Sequence, residues 1–178
     1  QRITDLRGDL ARLAQAMKGR TRPRIVTLVG GSGLELGGHP EAPDRPWQDH
    51  LRVPFLMGMQ DGSGLPRGEH TTMVQSTDLT PTLLDLLDLR AKNELKADRG
   101  SGVGRSLEAL MHGWELPPVH DKLLFADVGH AAICDERWKL IAPVDAPWML
   151  REDAVMLFAL DEDPTEQHDL TANSPLGP

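Results

Sequence analysis

The first thirty residues combine a helical hydrophobic pattern with a strand-like one. Apolar residues recur there every three or four positions, which is the spacing of one helix face. The residues of this face are Ile3, Leu6, Leu10, Leu13, Ala14 and Met17. After a helix breaker at residues 21–23, residues 24–29 form a short, largely β-branched run of the kind that is buried on both faces of a sheet. A helix that leads directly into such a strand predicts an α/β fold.

The middle of the chain predicts further strands and a second helix. Strands are predicted at residues 53–57 and 71–75. A helix is predicted from the capping residues 76–78 through Leu89, with Pro81 in the first turn, where a missing N–H is harmless. Residues 90–104 are charged and Gly-rich, which indicates an exposed loop, and a short helix is predicted at 106–112.

Beyond Pro117 and Pro118 the pattern changes to strands without long helices between them. Such strands are predicted at residues 123–128, 131–134, 138–142 and 156–160, which is typical of a small antiparallel sheet. Asp163, Pro164 and Glu166 then provide a cap, a first-turn proline and a reciprocal acid at the third position. This combination predicts that a last helix begins there.

The charge balance narrows the class of partner. The 178 residues include 19 Lys and Arg against 27 Asp and Glu, for a formal net charge of -8. Nucleic acid is therefore not an expected partner, since phosphate binding needs a basic surface. A membrane is not expected either, because no apolar run approaches the roughly 20 residues that a spanning helix needs. No signal peptide is visible at the start, and the single cysteine, Cys134, excludes an internal disulfide.

The turn formed by Gly30, Gly31, Ser32 and Gly33 directly follows the predicted 24–29 strand. Ligands of α/β proteins collect at the carboxyl ends of strands, so this turn is a candidate site. Its glycines, with the one at position 37, resemble a dinucleotide-binding loop, but that loop needs a following helix, and residues 37–40 break one. A nucleophile elbow built on Ser32 is the second alternative. Its second glycine comes one residue early, and again no long helix follows.

Residues 24–39, with the sequence RIVTLVGGSGLELGGH, resemble a segment of the sulfatases. In that segment a strand is followed by T/S-D-H/N-G and then by E-x-L-G-x-H. Five further stretches resemble, in the family's order, its R-V-P strand, its D-I/L-x-P-T helix, and its G-R-S-L, R-x-W/Y-K and D-P-x-E motifs. These stretches are residues 51–54, 78–84, 104–107, 137–141 and 157–170. Six motifs in order indicate kinship with the sulfatase and alkaline phosphatase superfamily.

The resemblance implies the C-terminal half of an α/β/α sandwich on a mixed sheet, with a small C-terminal antiparallel sheet. On that basis we predict that residues 1–113 belong to the sulfatase-like α/β domain. Residues 114–178 are predicted to form the antiparallel-sheet subdomain with a terminal helix. The family uses a divalent cation, usually calcium, while a modified Cys or a Ser in the N-terminal half attacks the ester. A periplasmic or secreted location is also implied.

The chain departs from the family pattern at the metal ligands. The family's adjacent Asp and His/Asn ligands correspond to Gly31 and Ser32, neither of which replaces a carboxylate against a doubly charged ion. No cofactor is therefore expected for this chain, and calcium is expected only if the family site survives in another form. The family's sulfate-contacting Lys falls near Pro43, and Arg45 is the nearest cation. By resemblance, His39 and Arg45 are the candidate substrate-binding residues, and no catalytic residue is expected in this chain.

Three functions remain open at this point. The favoured one is a sulfatase-like segment that lacks metal-dependent catalysis and serves as a non-catalytic module. The second is an active sulfate- or phosphate-ester hydrolase that an N-terminal half completes. The third is a nucleotide-binding α/β module that uses the Gly-rich turn. Because half of the implied sheet lies outside this chain, an apolar edge is expected, with an N-terminal half or a second chain as the partner that covers it.

Overall fold

The structure is a computed structural model that describes residues 2–19, 24–33, 39, 45–59, 65–89, 104–114, 118–127, 129–145, 149–150 and 154–171. The described helices are α1 (Arg2–Met17), α2 (Gln48–Leu51), α3 (Leu79–Leu86) and α4 (Glu108–Met111), with a 3-10 turn at Ser76–Asp78 before α3. The described strands are β1 (Ile25–Val29), β2 (Phe55–Met59), β3 (Leu123–Asp127), β4 (His130–Cys134), β5 (Trp138–Asp145), β6 (Met149–Leu150) and β7 (Met156–Ala159). The predicted α/β class with a small C-terminal antiparallel sheet is confirmed.

The strands of the described ranges form a small and a larger antiparallel sheet. In the small sheet β1 pairs with β2, with Ile25 opposite Met59. The larger sheet has the strand order β3-β4-β5-β6, and β7 also pairs with β5. Asp135 closes the hairpin between β4 and β5, because its Oδ1 accepts a hydrogen bond from the backbone N–H of Trp138 at 2.6 Å. The larger sheet is thus built mostly from neighbouring segments of the chain.

One face of the larger sheet carries the core. Side chains alternate between the two faces of a strand, and the inward positions on β5 include Lys139 and Ile141, both 0% exposed. Ile141 belongs to one buried cluster with Trp47, Ala132 and Phe158. Trp47 directly precedes α2. The core therefore joins the segment before α2 to the C-terminal sheet.

The opposite face of the larger sheet is apolar and partly exposed. Residues that lie opposite one another form a row across β3, β4, β5 and β7, namely Leu124, Ile133, Leu140 and Leu157. Leu124 is 73% exposed. In the small sheet Leu28 lies opposite Leu56, and both are exposed. α1 also leaves Leu10 and Leu13 exposed, so apolar surfaces of both sheets and of α1 face solvent.

Three local predictions in the first half of the chain are wrong. β1 is not buried on both faces within the described part of the chain, since Leu28 faces solvent. Residues 71–75 form no strand, because the backbone N–H of Gln75 donates to Asp78 Oδ2 at 2.8 Å rather than to a neighbouring strand. α3 ends at Leu86 rather than at Leu89, and Asp88 follows with a φ of 52°. A residue in the left-handed region commonly ends a helix in this way.

The predicted last helix is wrong as well. Residues 163–170 form turns and irregular structure. Glu166 was expected to reach back to the start of that helix, yet it has a φ of 56° and its carboxylate pairs with Lys139. Left-handed backbone cannot continue a right-handed helix. The ion pair with a distant strand therefore overrides the local capping pattern.

The predicted boundary between residues 113 and 114 stays a prediction. Hydrogen bonds of the described residues cross it: His120 Nε2 lies 2.9 Å from Asp78 Oδ2, and Lys139 Nζ donates to the carbonyl oxygen of Pro46 at 2.5 Å. Among the described helices, none has the length and apolar character needed to cross a membrane.

Candidate functional site

The Gly-rich turn after β1 is fixed at one end and open in its middle. The backbone N–H of Gly33 donates to the carbonyl oxygen of His50 at 2.8 Å. A Cβ atom on Gly33 would lie 1.7 Å from the carbonyl oxygen of Asp49, so only glycine fits there. Gly31 and Ser32 are exposed, and a Cβ atom on Gly31 would meet nothing within 4 Å. The two positions that correspond to the family's metal ligands therefore face open space.

The described residues of this turn do not fit a calcium ion. Calcium takes six to eight oxygen ligands, with carboxylates prominent among them. The turn offers only the neutral Ser32 hydroxyl as a side-chain ligand, and Gly31 offers none. Across the described ranges, no group of three or more His, Cys, Asp or Glu side chains could hold a metal ion. No step of chemistry is therefore derived through a metal in this chain.

The two other predictions for the turn both need a helix directly after it. Residues 34–38 lie outside the described residues, and the next described helix is α2, which begins at Gln48 and is 4 residues long. α2 contacts the turn through His50, which accepts the Gly33 hydrogen bond, at the helix's C-terminal end. A phosphate group needs the N-terminal end of a helix. The described geometry therefore gives neither the nucleotide loop nor the Ser32 elbow its required element.

His39, one of the two candidate substrate-binding residues, is held against the core. Its ring stacks on that of Trp47, with centroids 3.7 Å apart and planes 11° from parallel. Trp47 is 3% exposed and meets Phe158 edge-on at 5.8 Å. His39 Nε2 lies 2.9 Å from the carbonyl oxygen of Thr165. A carbonyl oxygen only accepts, so His39 Nε2 donates this hydrogen bond.

Arg45, the other candidate, lies beside the same tryptophan. Its guanidinium carbon is 5.9 Å from the Trp47 ring centroid, within the range of a cation–π contact. Nη1 donates to the thioether sulfur of Met156 at 2.8 Å, and a thioether is a weak acceptor. No described residue forms an ion pair with Arg45. The half-buried guanidinium has five N–H donors, so in the described part of the chain donors other than the one on Met156 are available to an anion. The structure thus brings both candidates to Trp47.

The ion pair of Lys139 and Glu166 adjoins this site, and the sequence did not predict it. Lys139 Nζ lies 2.6 Å from Glu166 Oε1, and both side chains are almost completely buried. Burial lowers the pKa of the Lys139 ammonium, and the hydrogen bond and charge of Glu166 oppose that shift. One signal was available in the sequence: Lys139 occupies an inward position of β5, two residues before Ile141, where an apolar side chain is normal. A buried lysine requires an acid, which here is Glu166.

A second buried polar group lies at the start of α3. Asp78 is 0% exposed, and its carboxylate accepts from the backbone N–H of Arg105 at 2.6 Å and lies 2.9 Å from His120 Nε2. A Cβ atom on Gly104 would lie 2.2 Å from the carbonyl oxygen of Thr77. The stretches 78–84 and 104–107, which both resemble sulfatase motifs, thus meet at one carboxylate. Asp78 has its hydrogen-bonding capacity filled by protein groups, so its role is to fix these segments.

Comparisons with known proteins give solved structures but no match by sequence. No family model matches the chain, and no curated protein matches it. One similar structure is a protein of Bacteroides thetaiotaomicron proposed to be a sulfatase, with a TM-score of 0.53 and 21% identity over 72% of this chain and 27% of that chain. Another is a Bacteroides thetaiotaomicron protein described under glycosaminoglycan metabolism, with a TM-score of 0.53 and 17% identity over 72% and 29%.

A third similar structure was solved in complex with its substrate, D-glucosamine-2-N,6-O-disulfate, and has a TM-score of 0.54 and 15% identity over 84% of this chain and 30% of that chain. At these identities the likeness concerns the fold. The chain has the fold of part of these sulfatase-like structures and spans between 27% and 30% of their length.

Proposed function

We propose that this chain is a segment of a sulfatase-like protein that binds sulfated ligands without metal-dependent hydrolysis at its Gly-rich turn. The observation that carries the proposal is the chemistry of positions 31 and 32. They follow β1 at the place where the resemblance puts two metal ligands, and Gly31 and Ser32 face open space there. The fold of the chain supports the sulfatase lineage.

The absence of these two ligand side chains is expected to lower the affinity of the turn for a divalent cation. Calcium affinity depends on the number of charged oxygen ligands around the ion. A serine hydroxyl is neutral and binds weakly in comparison with a carboxylate, and glycine contributes no side chain. Without the cation, the charge that develops on a sulfate ester during attack loses its main stabilising partner. A protein of this kind keeps recognition of the ester and loses its cleavage.

The ligand-binding part of the proposal rests on Arg45 and His39. Arg45 carries a positive charge, and among the described residues its guanidinium has the Met156 thioether as its side-chain partner. Sulfate offers oxygens that accept several N–H hydrogen bonds. His39 is held beside the same tryptophan. One similar structure binds a doubly sulfated glucosamine. A sulfated amino sugar is therefore the ligand class that we propose for this chain.

An N-terminal segment of the same protein is the proposed partner. Leu28 and Leu56 expose one face of the small sheet, and α1 exposes Leu10 and Leu13. An isolated two-stranded sheet is marginally stable in water, so both surfaces need a cover. The similar structures are more than three times as long as the matched region. A periplasmic or secreted location, which the resemblance implies, is part of the proposal.

The metal part is tested on the full-length polypeptide that carries this chain. We expect elemental analysis to find no stoichiometric calcium, and aryl sulfate turnover to be absent with and without a chelator. The variant Gly31→Asp/Ser32→Asn introduces two ligands where there is open space, and it is expected to take up more calcium than the wild type. Stoichiometric calcium in the wild type would overturn the metal part of the proposal, and turnover that a chelator abolishes would establish the active hydrolase.

The ligand part is tested by titration with D-glucosamine-2-N,6-O-disulfate and with unsulfated glucosamine. We expect the wild type to bind the sulfated glucosamine but not the unsulfated one. The Arg45→Ala variant is expected to bind neither. Arg137→Ala is the matched control, because Arg137 is an exposed arginine already paired with Asp161 at 3.2 Å. A wild type that ignores the sulfated sugar but gains thermal stability with a nucleotide would replace this proposal with the nucleotide-binding module.

A further inference from the structure

The backbone at Glu166 is strained in a way that local sequence does not explain. Its φ is 56°, in the left-handed region that non-glycine residues rarely occupy. Glu166 is 2% exposed, so solvent contributes little to its conformation. A residue in such a conformation persists only where its surroundings fix it, and such residues cluster at functional sites.

The surroundings that fix Glu166 are polar and lie on both sides of Trp47. Its Oε2 accepts from the backbone N–H of Gln48 at 2.6 Å, and its Oε1 lies 2.6 Å from Lys139 Nζ. Lys139 Nζ also donates to the carbonyl oxygen of Pro46 at 2.5 Å. One buried ion pair therefore holds the residue before Trp47 and the residue after it.

The same turn holds His39. The φ angle of Glu166 sets the orientation of the peptide between Thr165 and Glu166. The carbonyl oxygen of that peptide unit accepts the hydrogen bond from His39 Nε2 at 2.9 Å. Rotation of Glu166 to an ordinary φ would turn this carbonyl away from His39. The strained conformation and the position of the His39 ring are thus linked through one peptide group.

We propose that Lys139 and Glu166 are positioning residues for the ligand site at His39 and Arg45, an inference that rests on the proposed function. The pair fixes the flanks of Trp47, on which His39 stacks and beside which the Arg45 guanidinium lies. An apolar pair of similar volume would fill the same space, and such replacements are often neutral or stabilising. It would, however, leave the Pro46 carbonyl and the Gln48 N–H without their partners. The two charged groups are therefore retained because they fix the backbone on both sides of Trp47.

The test separates position from stability with the double variant Lys139→Met/Glu166→Leu. This variant removes both charges together, so no unpaired charge is left in the core. The first readout is the NMR signal of the His39 ring nitrogens, which reports the hydrogen bond from Nε2 to Thr165 without any ligand. The second is titration with the sulfated glucosamine. The control is Arg137→Met/Glu162→Leu, which removes an exposed ion pair with a 3.8 Å separation from the same part of the chain.

We expect the double variant to keep its circular dichroism spectrum, to show a changed His39 Nε2 signal, and to bind the sulfated sugar at least tenfold more weakly. The control is expected to match the wild type in both readouts. A folded double variant with an unchanged His39 signal would overturn the inference. If the double variant unfolds, Lys139→Met/Glu166→Gly decides, because it also leaves no unpaired charge and glycine adopts this φ without strain; an unchanged His39 signal there would likewise overturn the inference.

A failure of the proposed function gives a different result. In that case the wild type ignores the sulfated sugar, while the His39 signal still responds to the double variant. The role of Lys139 and Glu166 in positioning His39 would then be supported, and the proposed ligand class would be wrong.

Discussion

Replacement of Gly33 by alanine is expected to destabilise the protein strongly, although it adds only one methyl group. The added Cβ atom would lie 1.7 Å from the carbonyl oxygen of Asp49 and 2.7 Å from its carbonyl carbon. Real Cβ atoms essentially never approach other heavy atoms so closely. Both of the clashing atoms belong to the backbone of α2, so no side-chain rotation relieves the contact. The turn after β1 and α2 must therefore move apart.

The size of the effect follows from two contributions. Overpacking in a fixed environment costs about 1–3 kcal/mol. Separation also breaks the hydrogen bond from Gly33 N–H to the His50 carbonyl oxygen, which is 2.8 Å long, for about a further 1 kcal/mol. We expect the free energy of unfolding to fall by about 3 kcal/mol. In a chain of this length each kcal/mol lowers Tm by about 2–4 °C, which gives about 6–12 °C in total.

The assay is urea unfolding followed by tryptophan fluorescence, with Tm from calorimetry as a second measurement. Gly31→Ala is the matched control in the same turn, because its Cβ atom meets nothing within 4 Å and Gly31 is not in the left-handed region. That control is expected to be neutral or to stabilise the protein by up to about 1 kcal/mol, since alanine reduces the entropy of the unfolded chain. Equal unfolding free energies for the two variants would refute the reasoning.

Three further predictions concern titratable groups. Backbone N–H donors, with Trp138 first among them, hold the pKa of Asp135 below its ordinary value of 3.8. Asp135→Ala should therefore lower the free energy of unfolding by about 1 kcal/mol at pH 7. The difference between wild type and variant should shrink as the pH falls below 3.8, because protonation of Asp135 removes the same interaction. A pH-independent difference in urea unfolding would contradict this prediction. Burial raises the pKa of the Cys134 thiol. Ellman's reagent should therefore label Cys134 rapidly in urea and hardly at all in the native protein. Rapid labelling of the native protein would contradict this prediction. Asp78→Ala should cost about 3 kcal/mol or more in the same unfolding assay, since it leaves the backbone N–H groups of Gln75 and Arg105 and the buried His120 ring without their acceptor. A loss under about 1 kcal/mol would show that these groups find other partners.

Elements with a clear hydrophobic period were predictable from the sequence. α1 extends over Arg2–Met17, the range set by the repeat of apolar residues at three- and four-residue spacing. β3, β4 and β7 were located within one residue, and β5 begins at the predicted residue but ends at Asp145 rather than at residue 142. Apolar runs separated by turn residues leave little choice for such strands. The motif resemblance added the fold class, which the solved structures support.

Elements that depend on a distant partner were not predictable. The stretch 71–75 has strand-forming residues, yet its Gln75 N–H is bound by Asp78 within the following turn. Asp163, Pro164 and Glu166 satisfy every local rule for a helix start. The structure uses Glu166 for Lys139 instead, and a local pattern cannot show that competition. In both cases a buried carboxylate forms a contact that local structure would otherwise make differently. Asp78 accepts the Gln75 N–H that a strand would have paired, and Glu166 pairs with Lys139 instead of capping a helix.

The sequence offered candidate residues for the site but did not show which contacts hold them in place. His39 and Arg45 were named by resemblance alone, and their roles stay a prediction. Nothing in the sequence around them shows that both lie at Trp47, because the contacts that place them come from Thr165 and Met156. The inward position of Lys139 on β5 was the one available signal of a buried acid nearby.

The contacts that support the candidate site join residues far apart along the chain, and this separation affects when during folding they form. Lys139 reaches Pro46 across 93 residues, and His39 reaches Thr165 across 126. Contacts of such long range form slowly, because the entropy of closing the loop is lost before they contribute. During synthesis His39 leaves the ribosome long before Thr165 is added. The candidate site is therefore completed last, and a nascent chain interrupted before residue 165 contains the described strands but lacks the contacts that Thr165 and Glu166 make at this site.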